Sequence, residues 1–304
     1  MIALVLFASA WAGFGVRSSR EPLPSRENER SIVLPKGWTE LEVGVDHSVA
    51  AAAWSSRGRS VPLDVPWRTD TVQVGVRYGV APGWELFGSL PWTRATGYVL
   101  QTGFGTGEIG GRFALHRNEA PFGSVGLEVA GRVPVGFDGG SLEVPGRVPL
   151  TTGTGDLRMA VDARRGMDGL LFLTRVEAVH RFAGRVGWRD GRVKPGDQGS
   201  VDVEVLVQAG PLALGPGARA VGRLAVRAAD PGPGGSEGAL QRVDGSAGAS
   251  VDVGGRALLH LTRGVELEGR LRWSVVGEDD TFVRLDEVHP AKARVAGLSA
   301  RVRW

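Results

Sequence analysis

The chain has 304 residues, of which 47 are glycine and none is cysteine, and its 36 basic and 33 acidic residues leave a formal net charge of only +3. The absence of cysteine excludes a disulfide scaffold and any thiolate-bound zinc or iron–sulfur site. The isoelectric point is about 9.8, but the basic residues are dispersed among nearly as many acids, so no nucleic-acid partner is expected.

The N-terminus has the pattern of an export signal. Residues 2–8 form a short apolar core, and the Ala-Trp-Ala triplet at 10–12 fits a small-x-small cleavage site. No basic residue precedes the apolar core, which departs from the usual signal. We predict a signal peptide over 1–12 and a periplasmic N-terminal segment over 13–37, with insertion of that segment into a barrel lumen as the alternative.

From about Trp38 onward, apolar residues alternate with polar or small ones, as in Val72–Tyr78 and Val265–Trp273. This alternation places successive side chains on opposite faces of a strand, whereas helical patterning is weak everywhere. The sequence therefore predicts twelve strands of about ten residues each, near 38–49, 69–79, 84–93, 106–116, 123–133, 154–164, 169–181, 200–210, 218–228, 246–260, 264–276 and 292–304.

Short and long connections take turns between these strands. The short ones contain turn residues, for example Ala81-Pro82-Gly83 and the segment 210–217. The long ones are 50–68, 94–105, 134–153, 182–199, 229–245 and 277–291. Periplasmic turns on one rim and extracellular loops on the other produce this alternation in outer-membrane barrels. The predicted fold class is all-β: a transmembrane up-and-down antiparallel β-barrel of about twelve strands over residues 38–304.

The two faces of the predicted strands differ in chemistry. One face carries large apolar side chains with small residues, and no predicted helix covers it, so lipid is the simplest cover and the charged face should line the lumen. The charged face comprises Glu42, Asp46, Arg77, Glu85, Glu108, Arg112, Glu128, Arg132, Asp156, Arg158, Asp162, Arg175, Glu177, Asp202, Glu204, Arg223, Arg227, Asp252, Glu268, Arg270, Arg272, Arg301 and Arg303. From it we select as lumen-lining candidates Glu108, Arg112, Glu128, Arg132, Asp156, Arg158, Arg175, Glu177, Arg223 and Arg270.

The last strand carries a candidate assembly signal. Its apolar residues alternate with Ser299, Arg301 and Arg303, and the chain ends on an aromatic residue. This pattern is typical of the signal that the barrel assembly machinery reads, which predicts that machinery as a partner. The residues of the predicted assembly signal are Leu298, Ala300, Val302 and Trp304.

Other motifs with possible chemistry are weak. The segment 105–110 matches G-x-G-x-x-G, but a dinucleotide site needs a helix after it, and the residues that follow are strand-like. The five histidines form no H-x-x-E-H or H-E-x-x-H cluster, and no local nucleophile motif supports a lipid hydrolase. Glu278, Asp279 and Asp280 could hold Ca²⁺ but fit a solvated loop tip better. We therefore predict no enzyme activity, no catalytic residue, no metal and no cofactor.

Three segments together resemble an outer-membrane barrel family known as the meta-pathway phenol-degradation proteins, whose members are described as transporters. They are Tyr78–Trp92, which is similar to the family's turn between a Tyr-Gly-ending and a Leu-Pro-ending strand; Gly105–Ile109, with Glu where the family has Asp; and Val133–Gly136, followed by Gly153–Leu157. The resemblance covers about residues 38–180. It implies an outer-membrane barrel for small or hydrophobic molecules, and it carries no substrate or catalytic residue.

The leading hypothesis is a passive channel, a porin or transporter in the outer membrane of a Gram-negative bacterium, with outer-membrane lipid and a small-molecule solute as partners. Solutes would diffuse past Arg, Asp and Glu that select by size and charge. A non-conducting structural or adhesive barrel is the second hypothesis, and a barrel lipid hydrolase is the third.

Overall fold

The structure is a computed structural model that describes residues 31–54, 57–97, 100–116, 123–136, 154–186, 189–229, 239–242, 247–279 and 291–304. No helix in this part of the chain is long and apolar enough to span a membrane. The predicted signal peptide lies outside the described residues, and so does most of the segment 13–37.

The regular elements are strands, as the period-two alternation predicts. In chain order they are β1 (Thr39–Trp54), β2 (Ser60–Ala81), β3 (Trp84–Thr96), β4 (Leu100–Phe104), β5 (Thr106–His116), β6 (Ser124–Pro134), β7 (Asp156–Met167), β8 (Leu170–Arg181), β9 (Gly184–Val186), β10 (Arg189–Lys194), β11 (Gln198–Ala209), β12 (Leu212–Arg223), β13 (Arg227–Ala228), β14 (Gln241–Arg242), β15 (Gly248–His260), β16 (Val265–Asp279) and β17 (Ala291–Arg303).

Twelve antiparallel strand positions close into a barrel. The order around the wall is β1, β2, β3, β4 with β5, β6, β7, β8, β11, β12, β15, β16 and β17, and β17 pairs back with β1. β4 and β5 share one position, because both pair with β3 on the same side and only Gly105 separates them. The predicted all-β, up-and-down barrel of twelve strands is confirmed.

The two rims differ as the connections predicted. At the turn rim, which we define by the connections after β2, β5, β7, β11 and β15, the links are short. Gly169 and Gly210 adopt positive φ angles of 81° and 59° in two of these turns, a conformation that favours glycine. At the opposite loop rim lie the connections that contain 137–153 and 280–290, whose structure is outside the described residues.

The prediction of a loop over 50–68 is wrong. β1 continues to Trp54 and β2 starts at Ser60, so the two strands extend together as a hairpin beyond the loop rim. Pro62 and Pro66 lie inside β2, and Pro62 pairs with Ala52. The β1–β2 register shifts beside Pro66, where a proline without an N–H is tolerated. The predicted loop 94–105 is also shortened, because β4 occupies 100–104.

The prediction of a turn over 210–217 and a strand over 218–228 is also wrong. The turn contains only Gly210 and Pro211, and β12 runs from Leu212 to Arg223. Pro216 and its flanking glycines suggested a turn. They instead lie inside β12, where the β11 ladder is interrupted between the Glu204–Gly217 and Val207–Leu214 pairs.

The loops predicted over 182–199 and 229–245 contain short strands. β9, β10, β13 and β14 form a separate four-stranded sheet. Its members bury Val193 and Ala228, and the adjacent Val226 is buried as well. The predicted charged-face residue Arg227 belongs to this loop sheet and not to the barrel wall.

The exterior of the barrel is apolar and its interior is charged. Along β6, Ser124, Glu128 and Ala130 are buried, while the alternating Val129 and Val133 are exposed. The same inversion recurs around the wall: Ile109 is 73% exposed, whereas the Glu128 side chain is 1% exposed. A soluble barrel would show the opposite order, and lipid is the cover that suits such an exterior.

Candidate functional site: the lumen wall

The inner face carries a connected network of ion pairs, and Glu128 on β6 is one of its centres. Arg112 on β5 donates two hydrogen bonds to Glu128, and Arg158 and Arg175 donate to its other oxygen. Arg175 reaches Glu128 across β7 at 2.7 Å and also contacts Asp162 at 2.9 Å. The Arg175–Glu128 pair therefore joins two strands, β8 and β6, that are not neighbours.

The network continues around the barrel on both sides of this centre. Arg112 contacts Glu85 on β3, and Arg77 on β2 joins Glu85 at 2.6 Å to Glu40 on β1 at 2.9 Å. Glu40 in turn accepts a hydrogen bond from Arg303 on β17. The pairs therefore run across the junction at which the first and last strands close the barrel.

The other half of the wall is built in the same way. Arg301 on β17 binds Glu266 and Glu268 on β16, each at 2.6 Å. Arg256 on β15 then links Glu268 to Glu204 on β11, at 2.9 and 3.0 Å. We call this connected set of inward ion pairs the ion-pair belt. Besides the residues named above, it includes Glu42, Glu108, Arg132, Asp156, Glu177, Asp202 and Arg272.

At β12 the belt is continued by a pair between the two flanking strands. The Arg256–Glu204 pair connects β15 to β11, which lie on either side of β12. The inward residue beneath this pair is Gly217, and a Cβ there would lie 2.9 Å from Glu204 Cγ. The absence of a side chain at 217 leaves room for the bridge.

The N-terminal residues that precede β1 enter the lumen at the turn rim. Ile32, Val33 and Leu34 are buried, and the Leu34 N–H donates to Glu85 at 2.8 Å. Arg77 donates to the Ile32 carbonyl oxygen at 3.3 Å. The belt therefore supplies both a donor and an acceptor to this segment.

Two glycines make room for the segment. A Cβ at Gly79 would lie 2.1 Å from the Pro35 carbonyl oxygen, and a Cβ at Gly126 would lie 2.8 Å from Ile32 Cγ2. Any other residue at these positions would displace the segment. Residues 31–37 thus occupy the side of the lumen formed by β2, β3, β5 and β6, in line with the insertion alternative for the N-terminal segment.

A small apolar cluster fills the opposite side of the lumen at the turn rim. It contains Leu171, Leu206, Ala213 and Leu258, all 1% exposed or less, with Leu173 packed against it. These residues lie on the four adjacent strands β8, β11, β12 and β15. The lumen is therefore narrowed at the turn rim by the N-terminal segment on one side and by leucines on the other.

A groove lies on the remaining side, where β1, β2, β16 and β17 meet. Its wall contains the small residues Gly44, Gly297 and Ser299, and it is lined by Asp46 and Arg270. Arg270 and Asp46 pair at 2.6 Å but are 42% and 26% exposed. This groove therefore holds the most water-accessible charge pair of the inner wall that we describe.

The structure brings eight of the ten lumen-lining candidates into one cluster. Glu108, Arg112, Glu128, Arg132, Asp156, Arg158, Arg175 and Glu177 are joined by ion pairs among themselves and with Asp162. Arg270 lies apart from them in the groove with Asp46. Arg223 lies at the loop-rim end of β12, opposite Gln198. That these residues line a path for a solute stays a prediction.

Three members of the belt were missed by the sequence reasoning: Glu40, Glu266 and Arg256. Glu40 and Glu266 are among the most buried side chains of the molecule. Both alternate with residues of the predicted charged face, since Glu40 precedes Glu42 by two positions and Glu266 precedes Glu268 by two. Both lie inside the predicted strands 38–49 and 264–276, so period-two alternation applied to every residue of those strands would have placed them on the charged face.

Three of the described histidines, His47, His180 and His260, pair with carboxylates. His47 pairs with Asp70 at 2.7 Å, and His260 is buried beside Glu266 at 3.1 Å. His47 faces Asp70 and Ala296 across the neighbouring strands, so no serine is its register partner. Within the described residues no group of three or more metal-binding side chains occurs. The acidic triplet 278–280 cannot be placed, because its side chains lie outside the described residues.

Asp197, in the loop before β11, holds the neighbouring strand end. Partial burial raises the pKa of this carboxyl, but the Arg181 N–H at 3.0 Å and the nearby Lys194 and His180 outweigh burial and lower its pKa below the usual value. Because the folded-state pKa is lowered, this anchor contributes stability at neutral pH and loses it as the pH falls through the acid range.

Segment 105–110, which matches G-x-G-x-x-G, lies at the start of β5, and no helix follows it. The residues of the predicted assembly signal lie on β17 and just after it. Leu298 is 64% exposed, and the Trp304 N–H bonds to the Thr39 carbonyl oxygen at 3.0 Å, which closes the barrel beside β1. Recognition by the assembly machinery stays a prediction.

Comparison with known proteins supports the fold. No family profile and no curated protein sequence matches the chain. A crystal structure of an outer-membrane channel from Pseudomonas putida F1 matches with a TM-score of 0.71 at 14% identity, over 93% of this chain and all of that one. The NalP autotransporter translocator domain from Neisseria meningitidis matches with a TM-score of 0.47 at 10% identity, over 88% of this chain and 89% of its own.

The fold and the lumen wall define a β-barrel of the outer-membrane type. The 14% identity to the Pseudomonas putida channel is a likeness of fold alone. It confirms the coarser part of the family resemblance, an outer-membrane barrel fold, while membership of the phenol-degradation family stays a prediction.

Proposed function

We propose that the protein is an outer-membrane channel through which small solutes diffuse along the groove formed by β1, β2, β16 and β17. The observation that carries this proposal is the contrast within the inner wall: Arg270 is 42% exposed in the groove, whereas Glu128 in the belt is 1% exposed. The charges around Glu128 are buried in their own ion pairs, whereas the charged pair in the groove is accessible to water.

The proposed mechanism is passive filtering by size and charge. Gly44, Gly297 and Ser299 keep the groove wide, while Asp46 and Arg270 present opposite charges to a passing solute. The solved Pseudomonas putida structure is of an outer-membrane channel, which supports the same role. Outer-membrane lipid and a small polar solute are the proposed partners.

Single-channel recording in planar bilayers tests the proposal. Folded wild-type protein should give discrete conductance steps. Gly44→Phe should lower the step size at least about twofold, because the ring fills the groove. Gly269→Phe is the matched control, since residue 269 lies on the outward face of β16 beside Leu298, and its step size should equal that of the wild type.

The outcomes separate the hypotheses. Folded wild-type protein without steps would overturn the channel and favour a non-conducting barrel. Steps that Gly44→Phe leaves unchanged would overturn the groove as the path.

A non-conducting structural barrel is the second candidate function. It is favoured by one specific observation, the narrowing of the lumen at the turn rim by residues 31–37 and by the cluster around Leu206.

A further inference from the structure

Along one edge of the loop rim, the outward residues of the barrel change from apolar to charged. On β17 the outward residues run Val302, Ala300, Leu298 and Ala296 and then switch to Arg294. From Val302 to Arg294 the strand rises roughly 20 Å along the barrel axis at the usual tilt. This height is close to that of the apolar band of an outer-membrane barrel, about 25 Å.

The next three strands switch within two residues of this level. On β1 the outward residue after Val45 is His47, on β2 Val72 is followed by Asp70 and Arg68, and on β3 Trp92 is followed by Arg94. Opposing Cα positions join them into one patch, since Asp70 faces both His47 and Arg94. We call Arg68, Arg94 and Arg294 the rim arginines.

The rim arginines lie close enough to act on one group. Arg68 and Arg294 both face Val49, one from each side, so their Cα atoms are two strand spacings apart, about 10 Å. Arg94 faces Asp70, two residues along β2 from Arg68. Three long side chains that start from these positions can converge on a headgroup above Val49.

The rim arginines differ from those of the lumen in having no carboxylate of their own. All three are exposed, and within the described part of the chain they have no ion pair. The nearby Asp70 carboxylate pairs instead with His47, with 2.7 Å between His47 Nδ1 and Asp70 Oδ1. The belt shows the contrast, since Arg112 alone contacts three carboxylates.

We infer that the rim arginines form a binding site for the phosphate-bearing headgroup of a lipid in the leaflet at the loop rim. The acyl chains of such a lipid would lie against the apolar face below, on Val45, Val74 and Leu298, which are 42%, 45% and 64% exposed. Guanidinium groups bind phosphate oxygens with paired, charge-assisted hydrogen bonds. Basic residues at the edge of an apolar span attract anionic lipid in the same way.

This inference rests on the proposed placement of the barrel in the outer membrane and is independent of conduction. The test measures binding of purified, folded protein to bis-phosphorylated lipid A in mixed micelles. The same lipid after removal of its phosphates and inorganic phosphate alone are the comparison probes. Native mass spectrometry would report the lipid retained, and a titration would report the affinity.

The test variant is Arg68→Gln/Arg94→Gln/Arg294→Gln. Each basic residue near an anionic surface contributes about fivefold in affinity, so the triple variant should bind phosphorylated lipid A roughly 100-fold more weakly. The control Arg165→Gln/Arg227→Gln/Arg242→Gln removes the same charge from exposed arginines elsewhere and should stay within about twofold of wild type. If the triple variant fails to fold, Arg68→Gln and Arg294→Gln singly should each lose about fivefold.

Three results would overturn the inference: equal binding by the triple variant and the wild type, equal binding of lipid with and without phosphate, or full displacement of the lipid by inorganic phosphate, which would indicate a free-phosphate site. Wild-type protein that selects phosphorylated lipid but gives no conductance would contradict the proposed channel and still support the lipid site.

Discussion

Glu128 shows how a single buried carboxylate can be stabilised inside a barrel. Removing an ion from water costs several kcal/mol, and close partners must offset that cost. Glu128 has three of them, Arg112, Arg158 and Arg175. The adjacent Glu177 and Asp162 accept further hydrogen bonds from Arg158 and Arg175.

Replacing this carboxylate should destabilise the barrel strongly. Glu128→Gln keeps the shape but removes the charge that three arginines share, and breaking a buried pair costs about 3–5 kcal/mol. We expect the free energy of unfolding, measured by urea titration in lipid vesicles, to fall by about that amount. Asp46→Asn removes a carboxylate from the exposed groove pair and should cost less than about 1 kcal/mol. Equal losses in both variants would contradict the role assigned to burial.

At the scale of elements, glycines in the wall strands leave the space that the segment 31–37 occupies. Gly79 and Gly126 leave the space that Pro35 and Ile32 fill. The chain then leaves the lumen, and the Gly37 N–H donates to the Gly79 carbonyl oxygen at 2.7 Å as β1 begins.

A disulfide between the segment and the wall tests this placement. The Cβ atoms of Ile32→Cys and Gly126→Cys would lie about 3.6 Å apart, within the range that a disulfide needs. The chain has no other cysteine, so oxidation should form this bond in folded protein, seen as a gel shift that a reductant reverses. Ile32→Cys with Gly131→Cys is the control, since a Cβ at 131 contacts nothing within 4 Å. Equal cross-linking in both pairs would show that the segment is not held beside β6.

Strand positions could be predicted where alternation is uninterrupted, and errors occurred where proline or glycine interrupts it. β5 starts at Thr106 as predicted, because Glu108 and Arg112 alternate cleanly with apolar and small residues. β12 was displaced because Pro216 and its glycines have the composition of a turn. Their role depends on neighbouring strands, since β12 must leave room for a pair that joins β11 to β15, and sequence alone does not show strand neighbours.

The lumen candidates could also be predicted only in part from the sequence. Their face could be predicted from period two, but their partners could not, because Arg175 reaches Glu128 across β7 and Arg256 reaches Glu204 across β12. These contacts depend on curvature and strand stagger. The insertion of Ile32 depends on the same closure.

At the scale of the whole molecule, the near-zero mean hydropathy is the average of two unlike faces. The outward set, with Ile109 and Leu298 well exposed, is as apolar as a membrane requires, and the inward set carries the belt. A chain of this kind can cross a membrane without any long apolar run.

A closed barrel with this many cross-strand ion pairs should resist detergent at room temperature. Unboiled protein is expected to migrate on a detergent gel at a different apparent mass from boiled protein, because the folded barrel binds less detergent and stays compact. The unboiled sample should also give a β-type circular dichroism spectrum. Identical migration before and after boiling, or a helical spectrum, would contradict the barrel.

The ion-pair belt also bears on how faithfully the strands assemble. A slip of one residue between two strands turns every side chain of the moving strand to the opposite face. For β7 such a slip would carry Asp156, Arg158 and Asp162 out of the lumen and into hydrocarbon. Arginine in the middle of a membrane costs about 2–4 kcal/mol, so misregistered barrels are penalised on nearly every strand. The charges that stabilise the folded wall therefore also favour one strand register during assembly, because a one-residue slip would place charged side chains in the membrane.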